Sequence, residues 1–290
     1  MKSKRAGMEH AMMSFNRNAL EKSAYNIRRH IVNTIVNNGE GHGGGALSCA
    51  DILSVLYFSV MKQDESAPAG SGSDKFILSA GHKCLAIYAT LVEKGIVDVS
   101  VLDTYNKLGS PIPGHPDATK LPGIEFSTGS LGHGLSLGCG YATAAKMKNA
   151  SFRTFVLMGD GEQGEGSNWE AAAFAAQNRL DNLIAIIDEN GLQINGTTCQ
   201  ICKPTPYEGR YEAFGWRVKT VDGHDVKALY DAFASVPIEP GKPTLIVAKT
   251  KKGKGISFME DNVDYHHWHP GEEEANRALS EMEQAGKRWA

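Results

Sequence analysis

Cysteine is scarce: five residues in a chain of 290, an odd number, and mostly set in apolar stretches. That argues against a disulfide scaffold and predicts reduced thiols in a cytoplasmic protein. The single C-x-x-C pair, Cys199 and Cys202, has no second pair and no nearby histidine. Two thiols in a loop is therefore favoured over a zinc site or a redox pair. No window forms an uninterrupted apolar span of bilayer length, and the basic start MKSKR precedes no apolar run of signal-peptide length. No membrane association is expected. Lys plus Arg (30) almost balance Asp plus Glu (33), and a net charge of −3 leaves no basic footprint for nucleic acid. There is no internal repeat and no convincing domain boundary. A hydrophobic content of 41% is adequate for a sizeable core. Residues 1–290 are expected to form one domain with an N-terminal helix and a C-terminal helical tail.

The most informative stretch runs from Thr154 to Gly191, TFVLMGDGEQGEGSNWEAAAFAAQNRLDNLIAIIDENG. It reads as strand, tight glycine turn, alanine-rich helix and strand. Asp160 sits inside the turn and Asn190 just past the second strand. In an open parallel sheet those strand ends lie side by side at the carboxyl edge, where ligands bind. A glycine turn before a helix suits a phosphate, because free N–H groups and the helix dipole both face it. A carboxylate in the same turn repels a phosphate unless a divalent cation lies between them. Mg²⁺ or Ca²⁺ held by Asp160, Asn190 and a backbone carbonyl, bridging to a diphosphate, is the economical reading. GDGEQG also matches the dinucleotide-binding turn G-x-G-x-x-G, with Asp188 as a ribose-binding acid. Three acids in or beside the turn, Asp160, Glu162 and Glu165, argue against bare pyrophosphate. A tight turn without a ligand is the third reading.

Periodicity sets the surroundings. Leu20, Ala24, Ile27, Ile31 and Ile35 mark one face of a helix over about 18–37, stopped at Asn37-Asn38-Gly39. Ser48 is expected to cap a second helix with Asp51 at the capping-box position. Ser66 to Ser73 reads as a flexible loop. Strands are predicted at 75–79, 154–158, 183–188, 216–221 and 244–249. They alternate with helices near 167–178 and 225–235, and Glu272 to Ala285 reads as a charged surface helix. Buried strands alternating with helices predict an α/β fold, a parallel sheet flanked by helices. Alanines at 171, 172, 173, 175 and 176 allow close approach of a helix to the sheet, although alanine is also the best helix former.

Histidine is the other notable feature. Among those beside glycine are His42, His82, His115 and His133, and a further setting is His266-His267-Trp268-His269. Glycine-flanked polar residues at sheet-edge loops are placed for chemistry. The spacings do not match a zinc site, and a structural role remains open for each histidine taken alone. The run Lys249 to Lys254 reads as a solvated loop, with a phosphate-facing role as the lesser reading. His224 is explained by the helix start at Asp225.

Together, GDG…EN with Asp160 and Asn190 thirty positions apart, NNGEGHGGGALSCADIL (37–53), DKFILSAGHKCLAIYATL (74–91), GSPIPGHPD (109–117), STGSLGHGLSLGCGYA (127–142) and TKKGKGISFMEDNVDYHH (250–267) resemble transketolase segments in family order. The chain resembles the N-terminal, diphosphate-binding half of a transketolase made as two subunits. The resemblance implies a thiamine-diphosphate-binding fold of the diphosphate (PP) type. It also implies thiamine diphosphate with Mg²⁺ (or Ca²⁺) on Asp160, Asn190 and the Leu192 carbonyl. By motif position His42, His115 and His266 line the sugar channel as catalytic residues. His82 and His266 stand on the diphosphate and substrate side, and Gly159, Gly161 and Glu162 form the diphosphate turn. Gly129, Ser130 and Leu131 pack against the cofactor rings. Glu165 and Glu170 match interface glutamates, unless they simply favour a helix start. Two departures stand out: Gly41-His42-Gly43-Gly44 in place of Gly-His-Pro-Gly, and Leu131-Gly132-His133 in place of Leu-Gly-Gln. The implied reaction moves a two-carbon ketol unit from a ketose to an aldose, both sugars or sugar phosphates. The glutamate that activates the cofactor belongs to a pyrimidine-binding domain not seen in this chain. A separate C-terminal subunit carrying that domain is expected, in an α₂β₂ assembly, and the chain alone is expected to be inactive. Another thiamine enzyme acting on pyruvate or a 2-oxoacid, or a non-catalytic paralogue, are the alternatives.

Overall fold

The computed structural model describes residues 15–63, 72–202 and 206–289. Most of the loop expected at 66–73 lies outside the described residues. The chain begins with α1 (Arg17–Asn38), α2 (Gly43–Ser48), α3 (Ala50–Val55), β1 (Lys75–Leu78), α4 (Cys84–Glu93) and α5 (Gly134–Met147). There follow β2 (Thr154–Gly159), α6 (Gly166–Gln177), β3 (Leu183–Glu189) and a small hairpin of β4 (Leu192–Gln193) and β5 (Gly196–Thr197). The last elements are α7 (Thr198–Ile201), α8 (Tyr207–Ala213), β6 (Arg217–Asp222), α9 (Val226–Ala234), β7 (Thr244–Lys249) and α10 (Glu272–Gly286).

Five strands form one parallel sheet in the order β1-β2-β3-β7-β6. Successive residues of the central strands face opposite layers, as the twofold repeat of a strand requires. Phe155, Leu157, Ile184, Ile186 and Ile246 join a core with α1, α3, α4, α9 and α10. Val156, Met158, Ala185, Ile187 and Val247 join a second core with α5, α6 and α8. The sheet is thus covered on both faces, which is why β1, β2, β3 and β7 are buried almost throughout, whereas the edge strand β6 is polar and partly exposed. Helix α1 stops where Gly39 adopts φ 85° and its N–H closes on the Ile35 carbonyl at 2.8 Å.

Two local expectations change. Ser48 does not begin a helix; it ends α2, with its hydroxyl 2.5 Å from the Asp188 carboxylate. Asp51 makes no capping box, because its carboxylate is taken by Arg28 of α1 (2.5 and 3.2 Å). Tertiary partners overrode a local capping pattern. Of the alanines in α6, Ala171, Ala172 and Ala175 reach the core, whereas Ala173 is exposed.

His224 is structural. Its Nε2 accepts the Lys251 N–H at 2.8 Å, so Nδ1 carries the ring proton and donates it to Asp51 at 2.7 Å. Arg28, Asp51 and His224 therefore tie α1, α3 and the two loops after β6 and β7. Burial pushes the Asp51 carboxyl up, but Arg28 and His224 outweigh it and hold it at about 2. Its pKa is depressed, so its contribution of about 2 kcal/mol is full above the unfolded value near 4 and is lost as pH falls towards 2. Asp51→Ala, which strands the buried Arg28, is expected to cost about 3–5 kcal/mol in urea unfolding at pH 7. It should also flatten the stability loss between pH 4 and 2. A cost under about 1 kcal/mol would contradict this role.

Candidate active site

The site forms where β2 and β3 end. Their register pairs Gly159 with Asp188, so the residues that follow, Asp160 and Asn190, come out side by side at the carboxyl edge. A 3-10 turn over Gly161–Gly164 separates Asp160 from α6. The Asp160 carboxylate is 2% exposed and accepts the N–H groups of Gly161 (2.8 Å) and Gly191 (2.6 Å). The Gly161 N–H, expected to face a diphosphate, is directed here at Asp160. Asn190 donates its amide to Asp188 at 3.3 Å and turns its carbonyl oxygen towards the Leu192 N–H at 3.2 Å.

Beneath them Asp188 is sealed from solvent. Lys83 Nζ lies 2.6 Å from it, and the hydroxyls of Ser48 and Thr250 bond to it as well. Burial pushes the Asp188 carboxyl up, yet Lys83 and the hydroxyls hold it below the usual range. Burial lowers Lys83, but Asp188 raises it to about 12. The pair is ionised. Glu162 borders the cavity, but its carboxylate is turned into the fold. It accepts the N–H groups of Gly132 (2.8 Å) and Gly159 (2.9 Å) and the Ser79 hydroxyl. It thereby holds three loops at the cavity floor.

A cavity of about 410 Å³ opens above these groups. Four of the histidines singled out by sequence meet there: His42, His82, His115 and His266. Ring centroids lie 5.5 Å apart for His42–His82, 6.1 Å for His42–His115, 5.5 Å for His42–His266 and 5.2 Å for His82–His266. Burial, reinforced by neighbouring imidazoles and lysines, lowers His42 to about 4, His266 to about 3 and His82 well below its ordinary value. These three imidazoles are neutral at pH 7. They can donate and accept hydrogen bonds or take a proton, but they contribute no positive charge. Gly129, Leu131, Gly159, Gly161 and Leu192 also line the cavity. Ser130 does not; it borders an adjoining groove with Thr128 and His133. The exposed His133 ring bonds the Leu131 carbonyl at 3.1 Å and stands outside the main cavity.

The lysine run is corrected in one place. Lys252 is 2% exposed, lines the cavity and lies 3.1 Å from His266 Nδ1. Burial, with Lys83 nearby, lowers it to about 8, while Asp160 and Asp188 pull it back up. Asp160 shows the opposite condition: burial raises it to about 6, Lys83 opposing and Asp188 assisting. A sealed acid in need of a cation and a sealed ammonium in need of an anion share one cavity. That donor set fits a hard cation bridging to a diphosphate. Lys83 was missed by sequence reasoning, and Lys252 belongs to a run for which a phosphate-facing role was only the lesser reading. Lys83 follows His82 directly at the head of an otherwise apolar helix, and that placement was its only signal. Cys199 lies within α7 and Cys202 at its end, not in a loop, and both are exposed and outside any disulfide.

Residues 20–284 match the family described as transketolase, thiamine diphosphate binding domain. The chain is 43% identical over 263 residues to a protein of Phocaeicola vulgatus named as one subunit of an apulose-4-phosphate transketolase, covering 91% of this chain and 93% of that one. It is 40% identical over 267 residues to a Clostridium 6-deoxy-6-sulfo-D-fructose transketolase subunit, covering 92% and 97%. Among solved structures, the transketolase of Campylobacter jejuni superposes with a TM-score of 0.85 at 32% identity, over 93% of this chain and 43% of that one. The chain thus spans less than half of that solved enzyme. It belongs to the transketolase family, as the thiamine-diphosphate-binding part.

Asp188→Asn is expected to cost about 3–5 kcal/mol, because it leaves Lys83 buried without a counter-charge. Replacing both partners, Lys83→Met with Asp188→Leu, should recover part of that loss in urea unfolding. An Asp188→Asn protein as stable as the parent would contradict the ion pair.

Proposed function

We propose that this member of the transketolase family supplies the diphosphate- and metal-binding side of a two-subunit transketolase. In this reading residues 1–290 act as a single domain. The enzyme moves a two-carbon ketol unit from a ketose phosphate, or a ketose with a similar terminal anion, to an aldose phosphate. The observation that carries the reading is the cavity that opposes a buried acid–lysine set to a cluster of neutral imidazoles. The names of the relatives, apulose-4-phosphate transketolase and 6-deoxy-6-sulfo-D-fructose transketolase, favour a specialised sugar over an ordinary pentose phosphate. Gly43, where the family pattern has proline, and the exposed His133 accord with that.

Asp160, the Asn190 carbonyl oxygen and the Leu192 main-chain carbonyl would hold Mg²⁺ (or Ca²⁺). Lys252 and His82 would meet the diphosphate, with Gly159 and Gly161 allowing its close approach. Bound thiamine diphosphate supplies the nucleophilic carbon for the transfer. Gly129 and Leu131, which line the cavity, would orient its rings. His42, His115 and His266 would hydrogen-bond the sugar hydroxyls and the oxygen that becomes charged. A neutral imidazole there can accept a proton and later return it.

A separate subunit carrying the pyrimidine-binding domain would complete the site, in an α₂β₂ assembly. Ile194, 65% exposed at the cavity mouth, and the exposed Glu165 and Glu170 are suited to a partner surface. The two relatives compared above, whose lengths this chain nearly fills, are both named as subunits. Cysteines that form no disulfide among the described residues accord with a cytoplasmic setting.

A pull-down from the native lysate with thiamine diphosphate and Mg²⁺ should recover a second chain with a pyrimidine-binding domain. The recovered complex should transfer a labelled two-carbon unit from a ketose phosphate, while this chain alone turns nothing over. His42→Ala in the complex should lower kcat/KM by about 10²–10⁴-fold with cofactor affinity little changed. A homodimer that is active alone, or a complex that consumes pyruvate in place of a ketose, would refute the proposal.

A further inference from the structure

One cluster of side chains lies at the cavity mouth without a part in the site described above. Gly41 and Trp268 exchange both main-chain hydrogen bonds, at 3.0 and 2.8 Å, in an isolated antiparallel bridge. In such a pair the flanking residues face one another across the strands, and they point away from the side taken by the paired residues. Trp268 is 2% exposed, and its ring N–H donates to Glu274 at 2.9 Å. A Cβ at position 41 would stand 2.8 Å from Ile35 and 2.9 Å from Leu85, so only glycine allows the bridge to close on the core. The bridge is therefore fixed on its inner side. On its outer side it sets Glu40 opposite His269 and His42 opposite His267.

Glu40, His267 and His269 each bring one ligand-type atom within 4.8 Å of the others. His269 can offer either ring nitrogen: Nε2 lies 2.8 Å from His267 Nδ1, and Nδ1 lies 3.9 Å from Glu40 Oε2, so an ion would take one of the two. The other Glu40 oxygen accepts the Asn106 amide at 2.8 Å, which orients the carboxylate. A tetrahedral ion with ligands at about 2.1 Å holds them about 3.4 Å apart, a spacing that small side-chain rotations reach from here. Two imidazoles with one carboxylate are the donors that Zn²⁺ and related ions take, with a position left for water. The hard oxygen set at Asp160 selects a different class of ion.

We propose that Glu40, His267 and His269 form a binding site for a divalent transition-metal ion of the Zn²⁺ class at the cavity mouth, separate from the cation at Asp160. The site stands beside His42, whose ring centroid is 4.4 Å from that of His267. It does not depend on which sugar the protein uses, or on whether it turns over at all.

The test uses the untagged chain in excess Mg²⁺, titrated with Co²⁺ as a spectroscopic stand-in for Zn²⁺. One equivalent of Co²⁺ should produce the visible d–d bands of a four- or five-coordinate ion, and one equivalent of Zn²⁺ should abolish them. His267→Ala and His269→Ala should each weaken binding at least about tenfold, with unchanged far-ultraviolet circular dichroism. Asp160→Ala and the Cys199→Ser, Cys202→Ser pair should retain the bands. The milder His269→Asn should also lose them, which separates ligand loss from misfolding. Absence of stoichiometric Co²⁺ bands, their persistence in both histidine variants, or their loss in Asp160→Ala or the serine pair would each overturn the proposal.

Discussion

The Asp188 carboxylate, sealed at the end of the central strand β3, is the constraint on which the rest of the site depends. A buried charge of this kind is tolerated only when it is paired and hydrogen-bonded. Here Lys83 neutralises it from the turn after β1, Ser48 reaches it from α2, and Thr250 reaches it from the end of β7. One side chain thus gathers three separate segments of sequence around the ligand edge. It also accepts the Asn190 amide N–H, which fixes the side chain so that its carbonyl oxygen meets the Leu192 N–H. The stability of the fold and the aim of a proposed metal ligand rest on the same atoms.

Above that neutral floor the cavity is electrostatically unfinished. Asp160 is pushed up to about 6 and Lys252 down to about 8, each by burial first. Groups displaced in opposite directions within one cavity mark a place built for added charge of both signs. His42, His82 and His266 around them are neutral for the same reason, exclusion from water. A cation bridging to a diphosphate would relieve Asp160 and Lys252 together and leave the histidines free to work on sugar oxygens. Loss of solvent around the cavity is thus both the cost of the arrangement and the source of its selectivity.

Much of this was legible in the sequence, for identifiable reasons. Four of the five strands are largely apolar and buried on both faces, so their positions stand out. Asp160 and Asn190 were placed together because consecutive parallel strands end at one edge. His42, His82, His115 and His266 were marked by the glycines or the histidine cluster beside them. The failures are tertiary. Ser48 and Asp51 carry a capping pattern that is overridden by partners 140 and 23 positions away. Lys252 looks like any lysine of a basic loop until Gly44 and His266 are folded against it. The bridge that unites Glu40 with His269 joins residues too far apart in the chain for any local pattern to reveal.

The central claim is that this cavity recognises a diphosphate through a divalent cation. Calorimetric titration of thiamine diphosphate into the purified chain, with Mg²⁺ and then with a chelator, tests it most directly, with thiamine as the comparison. The account predicts one-to-one binding with Mg²⁺, binding weakened at least about tenfold by the chelator, and no measurable binding of thiamine; tenfold corresponds to about 1.4 kcal/mol. Equal affinity with and without the cation, or equal affinity for thiamine, would contradict it.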